Sequence, residues 1–267
     1  MEDHLNYYKG DMKEYFYDKA NIFLYQKDRD ILFTTTFIYS CFIKYLDIVD
    51  MNSVNKRINI KYINREDIIN NTINLKNNLL GEHNKSNINF ALEVAKYLRI
   101  PQENYSKSIG DFVPIEGRLQ IIKEVDNIRY YNDSTSTTPD ATMVALNAMS
   151  DRTILICGGR DKDISLDNFV ECLRENCENG IISKIIFLKD DTTTGTDKLL
   201  NLIIEKKLDK AITYQLVDTL QKAIEISKDI AKEDYNILFS PGFASFGMFK
   251  NEYDRNDQFV KLVNDLI

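Results

Sequence analysis

Histidine and cysteine are scarce in this sequence, and each shortage closes off a class of chemistry. Two histidines in 267 residues cannot build a His-rich zinc site. The four cysteines, Cys41, Cys157, Cys172 and Cys177, include just one pair of near neighbours. They are too sparse for a disulfide scaffold and point to a reducing cytoplasm. No apolar run of about 18 residues occurs and no basic-then-apolar segment opens the chain, so neither a membrane span nor a signal segment is expected. Positive charge is also short. A net charge of −7 and a pI near 5.1 exclude non-specific binding to nucleic acid or acidic membranes, which needs a basic surface. With 10 glycines and 4 prolines, each can be asked which turn it serves. The remainder, 43% hydrophobic and 28% charged, is ordinary globular composition, and the length fits one large or two medium domains.

From Ile128 onward, short apolar runs alternate with amphipathic stretches. Strands are expected at Ile128–Asn132, Thr153–Cys157, Ile182–Leu188, Ala211–Leu216 and Asn236–Ser240, and helices at Pro139–Met149, Thr196–Lys207, Thr219–Lys232 and Phe249–Leu266. Leu199, Leu200, Ile203 and Ile204 keep the spacing of one helix face, and Thr138 stands where it can cap the helix that Pro139 opens. Such alternation predicts an α/β fold with a mostly parallel sheet covered on both faces. The first part reads differently. Asp11–Tyr25 is a predicted helix, Asp30–Thr35 a strand, Ile58–Leu80 a set of short strands, and Asn87–Arg99 a helix with Ile88, Ala91, Leu92, Ala95 and Leu98 inward and Pro101 as its stop. Pro114 and Gly117 mark a boundary, giving domains 1–113 and 114–267.

Three segments carry potential chemistry. In Tyr131-Asn132-Asp133-Ser134-Thr135-Ser136-Thr137-Thr138-Pro139 a strand delivers Asp133 into a hydroxyl-rich loop ahead of a helix. Ligands in open α/β sheets bind beyond the carboxyl ends of strands, and helix N-termini favour anions. The same segment also reads as an ordinary helix start. In Cys157-Gly158-Gly159-Arg160-Asp161-Lys162 two glycines let the backbone approach a ligand and two cations follow, but taken alone the segment reads first as a tight turn with solvated charges. The third is Ser240-Pro241-Gly242-Phe243-Ala244-Ser245-Phe246-Gly247-Met248-Phe249-Lys250-Asn251, with Arg255 and Phe259 beyond it. All three loops fall at one edge of the expected sheet and could converge on one ligand.

In the first helix Met12, Tyr15, Phe16, Lys19 and Phe23 follow a helical stripe, which turns Lys19 toward the apolar face. Desolvation there would favour its neutral, nucleophilic amine. The alternative is a lysine that carries its charge out to solvent. His4 and His83, each just ahead of a helix, have no evident meaning by spacing alone.

Taken in order, E-D-H-L, the lysine of Y-D-K-A-N-I-F, G-E-H-N-x-x-N, E-G-R, N-D-S-x-S-T-T-P-D-A-T, G-G-R-D-K and S-P-G-F-A-S-F-x-M-F-K-N with R-x-x-x-F resemble the Mur ligase family, in its D-glutamate-adding branch. Folylpolyglutamate synthetase fits less well. The resemblance implies the rear part of a central ATPase domain followed by a Rossmann-like domain that binds D-glutamate. It implies an acyl phosphate, formed from ATP and the carboxylate of UDP-N-acetylmuramoyl-L-alanine and attacked by the amine of D-glutamate, in cytoplasmic peptidoglycan synthesis. His4 matches a magnesium ligand, and Lys19 the carbamoylated lysine that helps hold a second Mg²⁺. His83, Asn84 and Asn87 match adenine-side contacts, Arg118 and Asp133 other ATP contacts, and Thr137, Lys162, Ser245 and Phe246 the D-glutamate pocket. Thr135 stands where many members carry a lysine, and Arg160 could compensate.

The family's G-x-x-x-x-G-K-[ST] loop for ATP phosphates is missing from the sequence. The resemblance therefore spans this chain but only the C-terminal half to two-thirds of such an enzyme. A fragment or split ligase needing an N-terminal half is one expectation. A non-catalytic binding remnant, or a ligase for another amino acid, are the others.

Overall fold

The structure, a computed structural model, describes residues 5–46, 59–63 and 79–266. The chain divides into two units, Met1–Lys76 with His83–Asp111 and Asn77–Glu82 with Phe112–Ile267. His4 and most of the expected strand region Ile58–Leu80 lie outside the described residues.

In the first unit, α1 (Met12–Leu24) starts because Asp11 accepts from the backbone N–H groups of Lys13 and Glu14 at 2.7 and 3.3 Å. Strand β1 (Ile31–Thr34), helix α2 (Thr36–Leu46) and strand β2 (Asn59–Tyr62) follow, and β1 pairs with β2 in parallel. Ala20, Phe23 and Leu32 form the local core, with Phe42 and Ile60 against it. The buried face of α1 is Phe16, Ala20 and Phe23, which corrects the expected stripe. A small residue at position 20 takes the inward place, and Lys19, about 100° around the helix from it, is exposed. Its ammonium lies 5.4 Å from the centre of the Tyr15 ring, one turn earlier. Lys19 therefore lacks the burial among the described residues that the nucleophilic-lysine argument requires.

Helix α3 (Glu82–Tyr97) begins five residues before the expected Asn87, and Glu82 in its first turn suits the positive end of the helix dipole. Ile88, Leu92 and Ala95 are buried as expected, whereas Ala91 and Leu98 are exposed and Asn89 is buried. Arg99, with φ of +56°, ends the helix. Pro101 opens the next one, α4 (Gln102–Gly110), which the apolar pattern does not announce.

The second unit is a six-stranded sheet. A hairpin of β3 (Gln120–Val125) and β4 (Ile128–Asn132) turns at Asp126 and Asn127, both with positive φ, 52° and 58°, as a tight hairpin turn requires. Then come α5 (Pro139–Leu146), β5 (Thr153–Cys157), α6 (Asp167–Glu178), β6 (Ile182–Leu188), α7 (Thr194–Glu205), β7 (Tyr214–Val217), α8 (Leu220–Ile230), β8 (Asn236–Phe239) and α9 (Glu252–Asn264). The strand order is β3-β4-β8-β5-β6-β7, parallel except for β3. One face packs Leu155, Phe187 and Leu238 against Leu146, Phe169, Leu173 and Leu199 of α5, α6 and α7. The other packs Ile154, Ile186 and Phe239 against Ala223, Ile224, Phe259 and Val263 of α8 and α9. This is the α/β architecture expected from the sequence, with β3 and α6 added. Some bounds shift. The strand expected from Ala211 starts at Tyr214, and the last helix starts at Glu252, where Asn251 caps Asp254 N–H at 2.9 Å.

Candidate functional site

Strand β8 inserts between β4 and β5, so the chain skips a place after β4 and fills it last. That reversal brings the carboxyl ends of three adjacent strands together, the position where open α/β sheets form a crevice. Backbone bonds lace the three loops. Gly158 N–H donates to Pro241 O (2.9 Å), Gly242 N–H to Ser136 O (2.9 Å), and Arg160 and Ala244 exchange bonds of 3.0 and 3.1 Å.

Asp133 is the hub of the lacing. One carboxylate oxygen accepts from Leu119 N–H at 3.0 Å, and the other from the hydroxyls of Ser136 (2.5 Å) and Ser240 (2.7 Å). With its one proton given to Asp133, Ser240 Oγ accepts from the Thr142 hydroxyl at 2.8 Å. Burial pushes the Asp133 carboxyl from 3.8 up to about 6, against the opposing pull of those bonds and of Arg118. The side chain expected at ATP is thus turned inward and spent on holding the loops, while Arg118 is exposed. Thr135, at the position of the missing family lysine, donates its hydroxyl to Gly117 O at 2.8 Å. It ties down the segment that leads into Arg118 instead of offering a cation. Thr138 stands at the N-cap of α5, but its hydroxyl makes no capping bond.

The two glycines after β5 do not open space for a ligand. A Cβ on Gly158, at φ +131°, would lie 2.5 Å from Leu188 O, and one on Gly159, at φ +153°, would lie 2.5 Å from Ala244 O. They let this loop close on its neighbours. Gly159→Ala is expected to lower stability by about 2–4 kcal/mol, combining backbone strain with a clash against a carbonyl that cannot move far. Chemical denaturation would read this, and an unchanged midpoint would refute the close approach.

Beside this lacing, a shallow cleft is lined by Thr137, Pro139, Lys162, Leu166, Gly242 and Phe243, among others. Lys162 Nζ donates to Thr137 Oγ1 at 3.0 Å, so two of the four residues expected around D-glutamate meet. The other two sit further along the loop after β8. Ser245 is buried, and Phe246 is 54% exposed; neither lines the cleft. Lys198 steadies the Lys162 loop by donating to Asp161 Oδ2 (2.9 Å) and Ile164 O (3.0 Å). The cleft combines a cation (Lys162), a carboxylate (Asp161) engaged by Lys198, one hydroxyl (Thr137) and apolar walls, so Lys162 is the group that an anionic end of a small ligand would meet.

His83 lies in the first turn of α3. Burial lowers its basicity, and its Nδ1 is buried with no hydrogen-bond partner among the described residues. A neutral imidazole with an open nitrogen, followed by Asn84 and the exposed Asn87, fits a heterocyclic base such as adenine. Magnesium would neutralise phosphate charge. Among the described residues, however, no three His, Cys, Asp or Glu side chains are grouped to hold a metal ion. His4 lies outside the described residues, and the exposed Lys19 amine is accessible for the carbamate that the family resemblance implies.

Sequence reasoning left two members of the loop network without a role. Arg255 is fully buried and bonds two of the loops. Asn256 accepts from Asn132 Nδ2 (2.8 Å) and Ser134 Oγ (2.9 Å) and donates to Glu116 (2.8 Å). For Arg255 the signal was its place four residues before Phe259; for Asn256 there was none.

Residues 117–243 match the family model described as Mur ligase, glutamate ligase domain. Over 99% of its length the chain is 31% identical to a UDP-N-acetylmuramoylalanine–D-glutamate ligase of Borreliella afzelii (strain PKo), of which it covers 58%. It is likewise 31% identical, over 99% of its length, to the ligase of the same name from Clostridium botulinum (strain Okra / Type B1), covering 57% of that protein. The chain thus spans under three-fifths of the length of these curated relatives. Among solved structures, the MurF ligase from Thermotoga maritima in complex with ADP aligns over 91% of this chain and 55% of its own, with a TM-score of 0.56 at 14% identity. E. coli FolC in complex with ADP, without folate substrate, aligns over 81% and 51%, with a TM-score of 0.55 at 13% identity. Those two likenesses concern the fold alone. With motifs in family order, a glutamate ligase domain over residues 117–243 and relatives matched along its whole length, the chain belongs to the Mur ligase family.

Proposed function

We propose that this chain carries the amino-acid-binding part of an ATP-dependent ligase that joins D-glutamate to UDP-N-acetylmuramoyl-L-alanine. The observation that carries the reading is the meeting of Lys162 and Thr137 in a cleft where three strand-end loops converge. In the reaction, the terminal phosphoryl group of ATP passes to the substrate carboxylate and ADP leaves. The amine of D-glutamate attacks the acyl carbon, the C–O bond to phosphate breaks, and an amide, inorganic phosphate and a proton result. Lys162 would bind a carboxylate of D-glutamate through charge-assisted bonds, with Thr137, Ser245 and Phe246 completing its surroundings. His83, Asn84 and Asn87 would take the adenine side of ATP, and Arg118 its phosphates. Asp133 would act by holding Leu119, and so the neighbouring Arg118, in place. Lys19, as a carbamate, and His4 would hold magnesium, which would neutralise phosphate charge.

The sequence holds no phosphate loop, so the test has two arms. Calorimetry should show D-glutamate binding to this chain, with L-glutamate as the control. ADP release dependent on D-glutamate should appear once a phosphate-loop-bearing N-terminal half of a relative is added. Binding without ADP release would identify a non-catalytic remnant. Release with a different amino acid but not with D-glutamate would reassign the substrate, and neither binding nor release would overturn the reading.

A further inference from the structure

We propose that Arg255 is the positioning residue of the amino-acid site: its buried guanidinium clamps the loops after β4 and β8 together and sets a positive charge beneath them that favours an anionic ligand. This rests on the reading of the cleft as an amino-acid site.

The sequence places Arg255 and Phe259 one turn apart on α9, so both face the sheet. Both are fully buried, and Phe259 packs on Phe239 with ring centres 4.6 Å apart. That contact seats the helix and delivers the guanidinium to the strand ends. There Nη1 donates to Phe243 O at 3.0 Å and Nη2 to Ser134 O at 2.7 Å. Ser134 belongs to the loop that carries Thr137, and Phe243 lines the cleft and precedes Ser245. The planar fork of a guanidinium spans two carbonyls at once, which the single nitrogen of a lysine cannot do in the same geometry.

The charge itself is the second half of the argument. Among the described residues no carboxylate lies within ion-pairing distance of Arg255, and its Nε is buried without an acceptor. Glu252, one turn earlier, is the acid whose charge it feels. Burial outweighs that influence and draws the guanidinium down to about 10, so it stays charged at neutral pH. A buried cation lacking an anion is costly, and an apolar residue of similar volume is often neutral or stabilising in its place. Two carbonyl tethers alone could be supplied by a neutral amide. A retained, unneutralised charge under two loops of the cleft is what an anionic ligand would draw on, because low dielectric strengthens its reach.

The test compares the full chain with Arg255→Met and Arg255→Lys, reading D-glutamate binding by calorimetry and amide hydrogen exchange in residues 134–138 and 243–246. Arg255→Met is expected to weaken D-glutamate by about tenfold or more and to speed exchange in both loops by about tenfold, with β5 and β6 as protected as before. Arg255→Lys should loosen the loops similarly but recover part of the affinity, because the charge returns without the fork. Unchanged loop protection in Arg255→Met would overturn the clamp, and equal affinities for the Met and Lys chains would overturn the charge role. If the wild-type chain binds no D-glutamate, the amino-acid reading fails by itself, and loop exchange still decides the clamp. If Arg255→Met loosens the core strands as well, Arg255→Lys decides: loosening confined to the loops supports the proposal, and wild-type protection overturns it.

Discussion

Lys162→Ala is expected to weaken D-glutamate binding by about 10- to 100-fold, the loss of one charge-assisted interaction worth roughly 1.5–3 kcal/mol. The Lys162 Nζ stands 3.0 Å from the Thr137 hydroxyl at the edge of the cleft and is half-buried, so it is confined enough to be aimed. Its removal leaves Thr137 able to turn to water, and stability should change by no more than about 0.5 kcal/mol, as for other substitutions away from the core. Calorimetric titration of both chains, with thermal unfolding as a control, separates the effects. An unchanged Kd would remove Lys162 from the binding site. A large fall in Tm would show instead that the loop needs this lysine to fold.

Asp133→Ala should act the other way, on stability first. It strands Leu119 N–H and the hydroxyls of Ser136 and Ser240, all bonded to this carboxylate in a buried site. Hydroxyls can turn to other acceptors, but a backbone N–H cannot. The one donor left unmet costs about 1–3 kcal/mol, or a fall in Tm of roughly 4–10 °C for a unit of this size.

The pH dependence carries a sign that tests the same geometry. Burial raises the Asp133 carboxyl from 3.8 to about 6, so between those values the folded state holds a proton that the unfolded chain releases. The stability contributed by this protonation is complete below the lower value and is lost as pH rises through about 6. The span corresponds to at most about 3 kcal/mol. The cost of Asp133→Ala should therefore be greater at pH 5 than at pH 8. Asp133→Asn should flatten the profile between them. Denaturant titrations at those pH values decide it. A cost that grew toward pH 8 would mean that the carboxylate is stabilised as an anion, not strained by burial.

Strands buried on both faces read as unbroken apolar runs, which is why Thr153–Cys157 and Ile182–Leu188 were legible residue for residue. Edge strand β3 was not, because its mixed burial leaves no unbroken apolar run to mark it. Helix α6 escaped for a different reason. Its charged residues, Glu171, Arg174, Glu175 and Glu178, outnumber the few apolar ones that reach the core. The three loops were legible as candidates because each follows a readable strand. The orientation of Lys19 was not, since whether Tyr15 or Ala20 faces inward depends on what α1 packs against.

Local pattern and motif order by themselves determined the α/β class, the covered parallel sheet and the family, because these rest on short-range periodicity and on residue identities in sequence. Tertiary structure alone decided that β8 lies between β4 and β5. It also decided that Gly158 and Gly159 make room for the protein's own backbone. Asp133 turns inward, and Arg255 joins Ser134 to Phe243. Each of these joins groups far apart in the chain, where the sequence shows the donors and acceptors but not their pairing. Pairing is set by strand order, and strand order is a property of the packed sheet as a whole.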